Sequence, residues 1–169
     1  TRGGCIHIRF FGDVLEVKNY GRSEGLVSDY IYQVCIDSQE RIWFATDGKG
    51  AAMLDKSGFH HYEKGLSSKV LYGFAEDGNQ RIWVNVQGEG VYQFDGAGFQ
   101  PLGKEILLRD KNIYGLSTDT HGNLIMLNDL GIDIYDLETK KVRYMGEEVG
   151  IRDMKPNLNA LAKDQAGRI

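Results

Sequence analysis

Four aspartates recur along the chain, Asp37, Asp77, Asp119 and Asp164, at steps of 40, 42 and 45 residues. Repeated carboxylates raise the question of acid–base chemistry, which requires a carboxylate and a second acid or base converging on one point. Each of these instead heads a short turn phrase, DSQER, DGNQR, DTHGN or DQAGR. An Asp at that position accepts hydrogen bonds from the turn's own backbone N–H groups. The four are read as turn-makers, and no residue is assigned a catalytic role. His60 and His61 are no better placed, because neighbouring strand residues face opposite ways and cannot converge on a metal. His7 and His121 are isolated, and spacing supports no Ser-His-Asp or Cys-His grouping. The glycine phrases DGKG and QGEG lack the helix start from which a phosphate loop draws its N–H groups, so they read as hairpin turns. Neither a metal nor a cofactor is expected.

Binding is the more promising chemistry. Five positions before each recurrent Asp stand Tyr32, Tyr72, Tyr114 and Asn159. A tyrosine offers a flat apolar face and a hydroxyl, the combination that suits a sugar ring. The competing reading is that these side chains fill space and bond a neighbouring backbone. Further polar groups lie in two sets of loops: Ser28, Asp29, Lys69, Lys111 and Asn112 in one, and Asp47, Lys49, Gln87, Glu89, Asn128 and Asp129 in the other. All of them share one end of the molecule only if the repeated units stand side by side around a common axis.

The repeat supplies that arrangement. Gly25-Leu26 recurs as Gly65-Leu66, Trp43 as Trp83, Gly48 and Gly50 as Gly88 and Gly90, and Phe59 as Phe99. One unit reads as four short strands, YIYQVCID, RIWFAT, AAMLD and FHHYE, separated by turns and without helical periodicity. Four hairpin-linked strands per 40-residue unit describe a β-propeller blade. The expected architecture is all-β, with blades at 25–64, 65–104 and 105–148 and a partial blade at each end, 1–24 and 149–169. Pro101 falls in the fourth, outer strand, where a missing N–H costs no ladder bond. In the first strands, Val34, Phe74, Leu116 and Leu161 are apolar while Cys35, Ala75, Ser117 and Ala162 are small, so large faces meet small ones where blades converge. Trp43 and Trp83 are expected to fill the gaps between blades, and are structural together with the four aspartates.

Composition agrees. The 169 residues are 41% hydrophobic and 26% charged, with 22 Gly against 2 Pro, as a domain of short strands and many tight turns would have. A net charge of -4 argues against nucleic acid as a partner. No apolar run is long enough to span a membrane, and no direct membrane contact is expected of this segment. Cys5 and Cys35 lack metal-like spacing; a disulfide is possible, and two buried free thiols are the simpler reading.

The phrases GLVSDYIYQVCIDSQERIWFATDGKGAAMLD and GLSSKVLYGFAEDGNQRIWVNVQGEGVYQFD resemble the two-component regulator propeller repeat. Its usual run is GL-S-x-x-V, I-x-x-D-x-x-G-x-[IL]-W-[IV]-G-T, G-G-[LV] and FD. The resemblance extends over the chain in two strong copies, one weak copy and two partial ones. The Gly of W-[IV]-G-T is replaced by Ala45, Asn85 and Leu127, and Ile125 stands for the third Trp. The resemblance implies a periplasmic or extracytoplasmic part of a bacterial hybrid two-component sensor, without catalysis of its own, that recognises an oligosaccharide or a partner module. Two other classes remain open: a propeller enzyme of glycosidase or lyase type, and a structural or dimerisation scaffold. Because both ends of the chain are broken repeats, self-association or packing against further blades is also expected.

Overall fold

The structure, a computed structural model, describes residues 3–103, 106–151, 155–164, 166 and 168–169. Its strands are β1 (Cys5–Phe11), β2 (Val14–Tyr20), β3 (Ile31–Ile36), β4 (Ile42–Thr46), β5 (Ala51–Asp55), β6 (Gly58–Tyr62) and β7 (Leu71–Glu76). They continue as β8 (Ile82–Val86), β9 (Gly90–Phe94), β10 (Phe99–Pro101), β11 (Gly115–Thr118), β12 (Leu124–Asn128), β13 (Gly131–Tyr135) and β14 (Val142–Met145). Each consecutive group of four from β3 onward forms an antiparallel meander, and these three sheets are blades one, two and three. The fold is a β-propeller segment, as the repeat requires. Pro101 lies in β10, at the outer edge of blade two.

Each central strand is buried on both faces, which explains its run of apolar residues without polar alternation. In β4, Trp43 joins the core shared with Phe74, Val84 and Tyr92 of blade two, whereas Phe44 packs with Leu26, Ile31 and Ala52 on the opposite side. Trp43 stacks obliquely on Phe74 at 5.5 Å and meets Phe94 edge-on at 5.0 Å between ring centres. The Trp therefore does fill the seam between blades one and two. Trp83 does the same in the next seam, among Leu116, Leu124, Met126 and Tyr135.

At Gly50, in the left-handed region with φ of 68°, a side chain would run into the Tyr62 carbonyl 2.5 Å away, so the start of the third strand admits only glycine. Gly4 stands against the Tyr20 carbonyl in the same way, which identifies β1 and β2 as the third and fourth strands of a blade. The partial blade at the N-terminal end is thus observed. At the other end no strand is found among the described residues of 149–169. The Asp164 turn forms, with Arg168 donating its N–H and Nε to the carboxylate.

The large-against-small pattern holds for Phe74 and Leu116, which are buried, but Val34 is 42% exposed because it faces the two-stranded side of β1 and β2. Cys5 and Cys35 are free thiols and half-buried, not fully buried. Burial, with smaller contributions from Glu76 and Asp37, pushes the Cys35 thiol up to about 11.

Candidate functional site

The recurrent aspartates hold the turns, and they hold more than turns. Asp37 Oδ1 accepts the N–H groups of Gln39 and Arg41, while Oδ2 accepts Arg41 Nε at 2.6 Å and the Trp43 indole N–H at 2.8 Å. Asp77 repeats the arrangement with Asn79, Arg81 and Trp83. One buried carboxylate therefore closes the hairpin and orients the Trp that seals the seam. Burial pulls the Asp37 carboxyl upward, but the bonds from Trp43 and Arg41 outweigh it and leave the group below its ordinary range. Blade three keeps the turn and loses the link to the seam: Asp119 accepts from His121 N, Asn123 N and Asn123 Nδ2, and the Ile125 side chain has no donor to offer. At the turn's left-handed position the first two copies carry Glu40 and Gln80, with φ of 62° and 61°, where the third has Gly122.

At the opposite end of the blades the structure gathers the tyrosine positions. Pairing skips a residue between Ile31 and Gln33 in β3, and again between Leu71 and Gly73 in β7. Tyr32 and Tyr72 are the bulged residues, and a bulge of this kind re-aims a side chain out of the pleat. Their rings meet edge to face with centres 5.2 Å apart. Asn159, left-handed with φ of 58°, donates Nδ2 to the carbonyls of Tyr32 and Tyr72 at 3.3 and 3.0 Å and its backbone N–H to the Tyr114 carbonyl at 2.6 Å. The three tyrosine positions thus converge on one asparagine. A Cβ at Gly73 would meet both Asn159 Oδ1 and Gln33 Oε1 at 2.9 Å and displace these amides.

The hydroxyls of this cluster lie near acids from the loop between second and third strands. Tyr114 donates to Asp129 Oδ2 at 3.1 Å, and that bond raises its pKa. Burial and then the charge of Asp47 raise that of Tyr32. The phenols stay neutral donors, set beside carboxylate acceptors, with exposed aromatic edges. Such a surface can stack on a ring and hydrogen-bond its hydroxyl groups.

Other expected members are differently employed. Asn159 is spent on backbone carbonyls. Asn128 is fully buried, its Oδ1 accepting the Leu130 N–H of its own turn. Asp29 pairs with Arg22 at 3.3 Å and Lys69 with Glu63 at 2.5 Å. Asp47, Lys49, Gln87 and Glu89 are exposed on the mouth loops. His60 bonds Asp55 and Ser57, whereas His61 reaches the Lys49 carbonyl, so the two histidines do point apart.

Sequence reasoning missed Arg109, in the loop leading into blade three. Its Nε donates to buried Asp133 at 2.7 Å, its guanidinium reaches the Ile132 and Met145 carbonyls, and it lies 4.9 Å from the Tyr144 ring centre. The available signal was Asp133 itself, a charge at a strand position that is Ala52 and Tyr92 in the other blades.

Away from the mouth, at the turn end, a polar groove of about 730 Å³ opens between blades two and three, bordered by Asn79, Arg81, Asp119, His121, Glu138 and Arg143 among others. In the preceding seam the Glu76 carboxylate bonds the N–H and hydroxyl of Ser38, at 2.8 and 2.6 Å. The corresponding residues here are Thr118 and Gly78, which form no such clasp: Thr118 donates to the Glu76 carbonyl instead.

Residues 25–48 match the model of the two component regulator propeller repeat. The chain's fold is similar to a structure described as the "extracellular domain of the putative hybrid two component system BT3049 from B. thetaiotaomicron", with TM-score 0.82 and 20% identity over 98% of this chain and 23% of that one. The extracellular domain of BT4673 from the same organism gives TM-score 0.77 and 22% identity over 98% and 25%. Virginiamycin B lyase from Staphylococcus aureus gives TM-score 0.64 and 10% identity over 86% and 48%. No curated protein sequence is significantly similar. The chain spans about a quarter of the length of the sensor domains it matches.

Proposed function

We propose that this chain is a non-catalytic, ligand-sensing propeller segment of the extracytoplasmic half of a bacterial two-component sensor, and that it contributes aromatic contacts to an oligosaccharide. The observation that carries the reading is the convergence of Tyr32, Tyr72 and Tyr114 around Asn159, with Asp47 and Asp129 beside the phenols. The likeness to sensor extracellular domains supports the class of protein, and the mouth's chemistry supports the class of ligand.

An oligosaccharide panel titrated by calorimetry into the full sensor region tests the proposal. The triple variant Tyr32→Ala, Tyr72→Ala, Tyr114→Ala is expected to lose at least about tenfold in affinity for any glycan that binds, since stacking and hydroxyl contacts of this kind are worth about 0.5–1.5 kcal/mol each. Unchanged affinity would remove the mouth as the site.

A lyase or glycosidase reading has a propeller neighbour in its favour, but the repeated carboxylates it would draw on are taken up by turn N–H groups, arginines and indoles. Turnover of a glycan or lactone substrate would reinstate it. A scaffold role is favoured by a different observation: β1 and β2 expose an apolar face that includes Phe10, 76% exposed, and its cross-strand partner Leu15, 54% exposed, against which further blades or a second copy would pack.

A further inference from the structure

The seam between blades two and three holds two buried amides where the preceding seam holds none. Strand alternation puts Asn85 on the face of β8 that carries Trp83, and Asn128 on the face of β12 that carries Leu124 and Met126. Trp83, Leu124 and Met126 belong to one core, so both amides face the same seam. Asn85 is 1% exposed and Asn128 0%.

One bond fixes the orientation of each. Asn85 Nδ2 donates to the Ile113 carbonyl, which leaves Oδ1 without a donor; Asn128 Oδ1 accepts the Leu130 N–H, which leaves Nδ2 without an acceptor. Among the described residues these are the two buried side-chain polar atoms without a partner, one acceptor and one donor. In the seam between blades one and two the corresponding positions are Ala45 and Val86, both fully buried in the apolar core. The two seams therefore differ by a matched exchange, apolar with apolar in one and amide with amide in the other. A buried acceptor and donor are costly alone and cheap together.

We propose that Asn85 and Asn128 act as one hydrogen-bonded unit, joined by a single buried water between Asn85 Oδ1 and Asn128 Nδ2, that braces the Ile113–Tyr114 turn. Buried waters of this kind serve paired polar groups in protein interiors. The unit holds the Ile113 carbonyl from one side, while the Leu127 carbonyl holds the Tyr114 N–H from the other. The two asparagines are thus positioning residues for Tyr114. Only their relevance to ligand binding rests on the functional reading above; their coupling does not.

The test is a double-substitution cycle in the full chain, using the residues that the preceding seam already uses. Asn85→Ala and Asn128→Val are each expected to lower Tm by roughly 3–6 °C, because each strands the other amide, and the double variant, which still leaves the Ile113 carbonyl and the Leu130 N–H without these partners, is expected to lose clearly less than the sum of the two. Losses that simply add would overturn the unit. Hydrogen exchange of the Tyr114 amide should quicken at least about tenfold in either single variant and stay fast in the double, which also lacks the Asn85 bond to the Ile113 carbonyl; unchanged exchange in the singles would overturn the bracing role. If the single variants do not fold, a high-resolution crystal structure of the native chain decides. A water within about 2.7–3.2 Å of both atoms is expected, and amides in direct contact or separated by apolar atoms would overturn the proposal.

Discussion

The seam between blades one and two and the seam between blades two and three are built from the same repeat, yet only the first follows it throughout. The first is closed at the turn end by Glu76 on Ser38, sealed by Trp43 against two phenylalanines, and apolar through the Ala45 and Val86 positions. The second keeps its Trp but has Gly78 in place of the serine, a groove at the turn end, two amides within and an added Arg109–Asp133 ion pair. What separates them is chiefly the chemistry of a few side chains within the same four-strand pattern, β11 differing from β3 and β7 in having no bulge. A repeat can therefore preserve its strand pattern in every copy while reserving one seam for polar work.

The sharpest way to break that comparison is to remove the turn carboxylates one at a time. Asp37→Ala strands a buried indole N–H and a guanidinium, and is expected to cost about 3–5 kcal/mol in urea unfolding. Asp119→Ala strands only a neutral amide and turn N–H groups and is expected to cost about 1–2 kcal/mol. Equal losses would mean that the Trp-linked carboxylate adds nothing over a plain turn.

Acid should act through the same groups. Asp37 and Asp119 both titrate below their ordinary range when folded, so their contribution is complete above the unfolded value of about 3.9 and is lost as pH falls through the lower folded values. Stability followed from pH 5 to pH 2 should decline less steeply in Asp37→Asn than in the native chain; parallel curves would count against the linkage.

The smallest expected effect is a gain. Glu40 occupies a left-handed turn position that Gly122 fills in blade three, and Glu40→Gly is expected to raise stability by about 0.5–1 kcal/mol, measured by thermal melting. A loss would show that the Glu40 side chain has a role its conformation does not reveal.

Much of this was legible before any coordinates. The 40-residue period, the turn phrases and the alternation in YIYQVCID determine blades, strand order and the seam-filling role of Trp43, because each rests on local patterning. The mouth was legible as a set of aligned tyrosines, but the bulges at Tyr32 and Tyr72 were not, since they arise from how β3 pairs with β4 and β7 with β8. Asn159 read as a ligand residue, whereas its contacts are to backbone carbonyls of other blades. Arg109 was invisible for a similar reason: its partner lies 24 residues on and has no counterpart in the other copies. Consensus patterns reveal what the copies share, and the unshared contacts are where this segment differs from a generic blade.

Asn159 also imposes an order of events. Most contacts between blades join residues about one repeat apart and can form as each unit is completed, but the bonds from Asn159 to Tyr72 and Tyr32 span 87 and 127 residues. At about 5–20 residues per second of synthesis, the last of these waits roughly 6–25 seconds after Tyr32 is made. Until then the three inner strands can rest against one another without a common fastening. The nascent arc is therefore free to change its curvature until Asn159 has emerged and fastened its inner strands.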